Sequence, residues 1–151
     1  MAQSFAQIYL HIIFSTKQRR KYLQNESLRN ELHRYLGGTC RHLDSPSLAV
    51  GGIDDHVHIL CKLSRAHSVS KLVRELKRES SKWLKTKDSQ LSDFHWQDGY
   101  GVFSISPSHV RALRVYIANQ HKHHQSESFQ DEHRRILKKY GIECDERLIW
   151  D

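Results

Sequence analysis

The alternation of apolar and polar residues predicts four short β-strands. In the first, apolar side chains at every second position from Ile8 to Phe14 fall on one face, as in a half-buried strand. Asp54-Asp55 separates the second strand from the third by so short a turn that the two must pair antiparallel. The predicted strands cover residues 8–14, 47–53, 56–62 and 100–106.

Four other segments repeat apolar residues at every third or fourth position, which is the pattern of an amphipathic helix. Gly37-Gly38 is a stop signal that predicts the end of the first helix, and Gly141 predicts the end of the last. Ser106-Pro107-Ser108 is a typical helix start and precedes the third. The predicted helices cover residues 25–36, 69–85, 106–120 and 129–140.

The order of these elements predicts the fold class. Strand, helix, strand, strand, helix, strand, helix is the order of a split β-α-β arrangement. We therefore expect an α+β protein with a ferredoxin-like, RRM-like antiparallel sheet, helices on one face, and an extra C-terminal helix and tail. The 151 residues suit one domain, 1–151, and the apolar tail segment Leu148-Ile149-Trp150 is expected to dock on it.

Charge narrows the class of partner. The chain has 24 Lys and Arg against 17 Asp and Glu, so its formal charge of +7 favours a polyanion, nucleic acid first. It contains no apolar run of about 20 residues and no signal-peptide pattern after Met1, so we expect neither membrane insertion nor secretion. Three widely spaced cysteines fit neither a disulfide framework nor a zinc site, which favours the cytoplasm.

Histidine is abundant, with 12 residues, and its placement is informative. His56 and His58 lie two apart in a predicted strand, so both imidazoles project from the same face, about 6.7 Å apart along the strand. Such a pair can bind a divalent metal, although a hydrogen-bonded or exposed pair is equally compatible with the pattern. In contrast, His121 and His123 lie in a predicted helix and point in different directions, so we interpret them as surface or phosphate contacts.

Tyr116 and Gln120 are four residues apart on the third predicted helix, so a phenol and an amide can point into one site. Core packing is the ordinary role of a tyrosine at an amphipathic position, and the spacing by itself leaves that alternative open.

The strand motif His56-Val57-His58 and the later helix motif Tyr116-Ile117-Ala118-Asn119-Gln120 together resemble the single-tyrosine HUH transposases of the IS200/IS605 type. The segments 55–60, 96–100 and 103–106 are also similar to those of the IS200-like branch. The resemblance implies that Tyr116 is the nucleophile, and that His56, His58 and Gln120 hold Mg²⁺ or Mn²⁺. A metal is chemically reasonable here because a phenol with a pKa near 10 attacks poorly unless the phosphate is made more electrophilic.

The resemblance further implies cleavage and rejoining of single-stranded DNA at hairpin-marked element ends, through a 5′-phosphotyrosine intermediate. It also implies a homodimer, in which active sites can combine the histidines of one protomer with the tyrosine of the other. We expect DNA contacts from a basic loop and from the second helix: Lys17, Arg19, Arg20, Lys21, Lys71, Arg74, Lys77 and Arg78.

Three alternatives remain open from the sequence. The first is a domesticated or REP-associated HUH endonuclease that cuts chromosomal hairpins without moving an element. The second is a non-catalytic RRM-like nucleic-acid-binding protein, although the usual RRM aromatic motif is absent from the sequence. The third is a phosphodiesterase that uses water as the nucleophile.

Overall fold

The computed structural model of the chain describes residues 2–144, so the predicted docking of Leu148-Ile149-Trp150 lies outside the described residues. Its sheet has four strands in the spatial order β2-β3-β1-β4, and every pair is antiparallel. This is the ferredoxin-like order, and the predicted fold class is confirmed. The strands are β1 (Tyr9–Ser15), β2 (Ser47–Gly52), β3 (His56–Lys62) and β4 (Gly101–Ile105).

The described residues also form five α-helices, and the first two pack on one face of the sheet. Side chains alternate along a strand, so Leu10, Ile12 and Phe14 of β1 all enter the core between sheet and helices. Burying one such side chain contributes about 1.5–3 kcal/mol, which makes this layer the main source of stability. The helices are α1 (Glu26–His42), α2 (Val69–Lys87), α3 (Val110–Ala118), α4 (Gln120–His123) and α5 (Phe129–Lys139).

The opposite face of the sheet is covered by α3 and by the extra C-terminal helix α5, so the expected placement of the helices on one face holds for α1 and α2 but not for α3. Gly51 of β2 lets α3 approach closely, since an added Cβ would lie 2.5 Å from the carbonyl oxygen of Ile117. A second apolar cluster joins α5 to Ile13 of β1 and Phe103 of β4. The strands therefore separate a large apolar core from a second face that carries the two histidines of β3.

Two predicted boundaries were wrong. Helix α1 continues through Gly37-Gly38 to His42, and the chain leaves the helix only before Asp44, whose φ is +52°. Gly37 serves close helix–strand packing instead, because an added Cβ would lie 3.1 Å from Oγ of Ser47. The third predicted helix is also interrupted, since a turn at Asn119 separates α3 from the short helix α4.

Within residues 2–144, none of the helices is both long enough and apolar enough to cross a membrane.

Candidate active site

His56 and His58 lie on one face of β3 and are fully buried. The Nδ1 atom of each ring already has a hydrogen-bond partner. Nδ1 of His56 lies 2.7 Å from Oδ1 of Asp55, and Nδ1 of His58 lies 2.8 Å from Nε2 of His11. Partners of this kind fix the orientation of an imidazole. As a result, both histidines present Nε2 to the same interior space, as the strand pattern predicted.

Glu132 of α5 fills that space, and the sequence analysis did not identify it. Its side chain is fully buried, and its Oε1 lies 2.9 Å from Nε2 of His58 and 3.4 Å from Nε2 of His56. Two ligands bound to one ion at about 2.1 Å, with angles between tetrahedral and octahedral, are separated by about 3.0–3.4 Å. Two of the three distances between ligand atoms therefore match those around a bound ion, and all three ligand atoms lie within 4.8 Å of one another, so these side chains could hold a metal ion.

Gln120 belongs to the same cluster. Its Oε1 lies 3.0 Å from Nε2 of His56, and its Nε2 donates a hydrogen bond to Oε2 of Glu132 at 3.1 Å. The side chain of His124, which the sequence analysis did not assign to the site, contacts both of these partners: its Nε2 lies 3.1 Å from Oε1 of Gln120 and 3.2 Å from Oε1 of Glu132. The turn at Asn119 does not separate Gln120 from Tyr116, because both side chains meet at Glu132.

Tyr116 is half-buried at the edge of this cluster. Its hydroxyl donates a hydrogen bond to Oε2 of Glu132 and accepts one from Nη2 of Arg135 at 2.8 Å. Its ring meets that of His58 edge to face, with the centroids 5.9 Å apart. The phenol and the two histidines therefore come together within a single chain.

Burial and hydrogen bonding act against each other on the ionisable groups. Burial favours protonated Glu132, but hydrogen bonds from His124, His56 and His58 outweigh it and hold the pKa of the carboxyl well below its usual range. Burial opposes a charge on His56, yet Asp55 and Glu132 raise its pKa to about 9. Glu132 is therefore an anion beside an imidazolium.

The other two groups stay neutral. Burial lowers the pKa of His58 to about 4, in spite of its bond to Glu132. Burial and the Glu132 carboxylate together raise the pKa of Tyr116 above its usual value of 10. The phenol therefore keeps its proton at neutral pH, which makes it a weak nucleophile by itself.

The basic loop after β1 is a 3-10 turn, Lys17–Arg19, in which Gln18 and Arg19 both have φ of +55°. Lys17, Arg20 and Lys21 are exposed, and Arg20 lies 3.6 Å from Asp93. The loop begins beside Asp55, whose carbonyl accepts a bond from the amide of Thr16. Its side chains are thus presented to solvent near the start of β3.

The predicted DNA contacts on α2 lie on the sheet face opposite the histidines. Arg74 and Arg78 pair with Glu75 at 4.0 and 2.6 Å and line, with Lys77, a cleft of about 380 Å³. The Lys77 ammonium is enclosed, with the carbonyls of residues 97, 98 and 99 at 2.7, 3.3 and 2.7 Å. Lys71 faces a separate groove between α1 and α2. The structure does not bring these four residues to Tyr116.

A sequence signal for Glu132 did exist. The buried positions of α5 follow helical spacing, and Glu132 lies among them between Phe129 and Ile136. A carboxylate on the apolar stripe of a helix is costly unless it is paired, so such a position indicates a buried partner. What that partner is depends on the tertiary structure.

Comparison with known proteins was made for sequence and for fold. The model of the family described as "Transposase IS200 like" matches residues 4–120, which is more than half of the chain. No curated protein matches the chain. Helix α5, which carries Glu132, lies beyond the matched residues.

The fold is shared by several solved structures, among them the following two. One is of a candidate transposase from Deinococcus radiodurans R1, with a TM-score of 0.61 and 23% identity, covering 80% of this chain and 95% of that one. The other is of a REP-associated tyrosine transposase bound to a REP hairpin, with a TM-score of 0.59 and 16% identity, covering 82% and 73%.

Proposed function

Because the chain belongs to the IS200-like transposase family, we propose that it cleaves and rejoins single-stranded DNA through a covalent link to Tyr116. The observation that carries the proposal is the hydrogen bond from the Tyr116 hydroxyl to Glu132, whose other oxygen contacts His58. A candidate nucleophile and a candidate metal site are thereby joined through one carboxylate.

The reaction is a transesterification. Oη of Tyr116 forms a bond to the scissile phosphorus, and the bond from phosphorus to the 3′ oxygen breaks. The phenolic proton ends on that oxygen, which leaves a free 3′-hydroxyl and a 5′-phosphotyrosine. Since the number of phosphoester bonds is unchanged, the reverse attack rejoins DNA without a nucleotide cofactor.

The residues that would hold a divalent metal are His56, His58 and Glu132, with the Gln120 amide oxygen within reach. Their mix of imidazole and oxygen donors is compatible with Mn²⁺ and, through the oxygens, with Mg²⁺. When bound, such an ion makes the phosphate more electrophilic and stabilises negative charge as it develops. Asp55 and His11 hold the two imidazoles in position, and Glu132 orients the phenolic hydrogen.

The substrate we propose is single-stranded DNA with a hairpin near the element end. Support comes from the net charge of +7, from the exposed basic loop 17–21 and α2, and from the related fold that was solved with a REP hairpin.

Excising an element takes two cleavages, so a homodimer of single domains, 1–151, is the simplest assembly. Tyr116 and His58 meet within one chain, which supports a site built from one protomer. The cytoplasm is the compartment in which we expect the protein to act.

The test incubates the protein with labelled hairpin single strands and Mn²⁺ and looks for a covalent adduct on a denaturing gel. We expect an adduct with the wild-type protein and none with Tyr116→Phe. Tyr35→Phe is the matched control, because Tyr35 stacks on Trp83 on the other side of the sheet and should not affect the adduct. An adduct that persists in Tyr116→Phe contradicts the assignment.

The same gel separates the alternatives. A non-catalytic RRM-like protein yields neither product nor adduct, and a phosphodiesterase yields a cleaved strand without protein attached. A REP-associated endonuclease yields an adduct only with chromosomal hairpins.

A further inference from the structure

A cavity of about 590 Å³ is lined by Tyr116 and also by His11, which contacts the metal-site residue His58 from outside the buried cluster. It lies between the end of β4, α3 and α5, and its walls include Ile105, Leu113 and Ile136. Small-molecule sites have volumes of roughly 300–1,000 Å³ and combine apolar walls with a few polar groups. The cavity therefore has the size and the lining of a ligand site.

Its charged groups are basic, beside neutral hydroxyls such as those of Ser104 and Ser106. Arg135 lines the cavity next to Tyr116, and Lys139 and His109 line it as well. None of the described residues that line it is acidic. The charge is thus complementary to a phosphate, and the only nucleophile in the lining that the proposed function uses is the phenol of Tyr116.

Arg135 is held ready for such a ligand. Its Nε and Nη2 donate to the two carboxylate oxygens of Glu127, both at 3.0 Å, while Nη2 also donates to the Tyr116 hydroxyl at 2.8 Å. Its side chain remains 50% exposed. A guanidinium restrained by a bidentate carboxylate binds phosphate at a smaller entropic cost than a mobile one.

The lining of the cavity also includes the aromatic ring of Tyr140. The ring of Tyr140 stacks on Phe103, with the centroids 4.6 Å apart and the planes 13° apart, yet the residue keeps 38% of its surface exposed. A ring held in this way can stack on a base, and such stacking tolerates any base because every base has a π-face.

We propose that this cavity binds one nucleotide of the DNA strand, the one adjoining the scissile phosphate. Arg135 contacts that phosphate, and Tyr140 stacks on the base. The inference rests on the proposed function, because it takes Tyr116 as the nucleophile. It adds a nucleotide subsite that aligns the phosphate with the phenol before the bond forms.

The test measures non-covalent binding of a fluorescein-labelled ten-nucleotide thymidine strand by fluorescence anisotropy. EDTA is present, so no covalent chemistry takes place. Losing a charge-assisted contact of about 1.5–3 kcal/mol predicts that Arg135→Gln weakens binding about tenfold or more. It also predicts that affinity depends less steeply on salt concentration, by about the amount that one phosphate contact contributes to the slope. A merely structural role for Arg135 leaves the salt dependence unchanged.

The matched control is Arg134→Gln, which removes the same charge one position earlier, where the arginine pairs with Asp131 and does not line the cavity. It should bind within about twofold of the wild type. A second measurement replaces one thymine of the probe with 5-iodouracil and maps the photocrosslink by mass spectrometry. We expect the crosslink at Tyr140.

Unchanged affinity and salt dependence in Arg135→Gln, or crosslinks only outside the cavity, would overturn the inference. The proposed function fails separately, since it depends on the covalent adduct. If the wild type forms an adduct but Arg135→Gln binds normally, the subsite is wrong and the tyrosine chemistry stands. If Arg135→Gln and the crosslink behave as expected but no adduct forms, the cavity binds a nucleotide, but both the tyrosine chemistry and the placement of that nucleotide next to a scissile phosphate are wrong.

Discussion

Oε1 of Glu132 lies 2.9 Å from Nε2 of His58, although 74 residues separate them in the sequence. This contact joins the C-terminal helix α5 to the central strand β3 and supplies the anionic member of the buried cluster. It brings one negative charge to a place where the neighbouring donors are three imidazoles, an amide and a phenol.

We predict that Glu132→Gln weakens Mn²⁺ binding by at least about tenfold, because it removes the charged ligand while it keeps the shape of the side chain. Isothermal titration calorimetry with the purified protein measures the effect. Glu127→Gln is the control, since Glu127 pairs with Arg135 outside the cluster, and its Mn²⁺ affinity should not change. Equal affinity in Glu132→Gln and wild type removes Glu132 from the metal site.

Asp55 is predicted to act on the metal through His56. Its Oδ1 accepts from Nδ1 of His56 at 2.7 Å and so fixes the ring with Nε2 pointing inward. Loss of the hydrogen-bond partner of a metal-binding histidine typically lowers metal affinity by about 10–100-fold. We expect Asp55→Asn to lower Mn²⁺ affinity within that range. The neighbouring Asp54→Asn should have no such effect, and a loss of equal size in both variants would indicate a general charge effect instead.

Gly51 is predicted to control how α3 docks on the sheet. A Cβ at this position would lie 2.5 Å from the Ile117 carbonyl, next to Tyr116, so Gly51→Ala must displace the helix. We expect a loss of about 1–3 kcal/mol in the free energy of unfolding and a weaker covalent adduct. Urea unfolding and the gel assay measure the two effects.

Gly38→Ala is the contrasting variant. Nothing lies within 4 Å of an added Cβ at Gly38 inside α1, so alanine should stabilise the protein by about 0.5–1 kcal/mol through helix propensity. If Gly51→Ala were as stable as the wild type, the close approach of α3 to β2 would be wrong.

His33 of α1 is predicted to make stability depend on pH. Burial, helped by Arg29 and His56, lowers its pKa to about 4, and its Nε2 has no hydrogen-bond partner among the described residues. In the unfolded chain the histidine pKa is near 6.5, so the unfolded chain binds the proton more tightly than the folded one. The contribution of neutral His33 to the free energy of unfolding is therefore complete above pH 6.5 and is lost as the pH falls towards 4.

Between pH 7 and pH 4, the free energy of unfolding of the wild type should therefore fall by on the order of 2 kcal/mol more than that of His33→Gln. Urea unfolding at a series of pH values measures the difference, with the exposed His121→Gln as the control for loss of a histidine. A difference between wild type and His33→Gln that does not change with pH contradicts the prediction.

Lys77 is predicted to stabilise the segment 97–99, whether or not it also contacts DNA. Its ammonium lies within 3.3 Å of three backbone carbonyls, in one part-buried and two exposed hydrogen bonds, and exposure reduces the roughly 1.5–3 kcal/mol that a bond to a charged group can contribute. We expect Lys77→Met to lower the free energy of unfolding by about 1–2 kcal/mol in the absence of DNA. Lys82→Met, at an exposed position of the same helix, should leave it unchanged.

The sequence by itself determined the order of strands and helices and the side of β3 on which His56 and His58 lie. Both follow from local periodicity, because a strand alternates sides at every residue and a helix repeats every 3.6. It also indicated Tyr116 and Gln120 as a pair, through their spacing and the resemblance to a family. Local signals failed at Gly37-Gly38, where α1 continues to His42 and the missing side chain of Gly37 leaves room for Ser47 instead of ending the helix.

Only the tertiary structure decided which groups meet. Glu132, His124 and Arg135 reach Tyr116 and the histidines because α4 and α5 fold back over the sheet, and no local pattern specifies a contact between residues 74 positions apart. The structure likewise placed Lys77 against backbone carbonyls, although its position on a basic helix predicted a DNA contact. Periodicity tells which side of an element a residue occupies, whereas the packing of elements determines its partners.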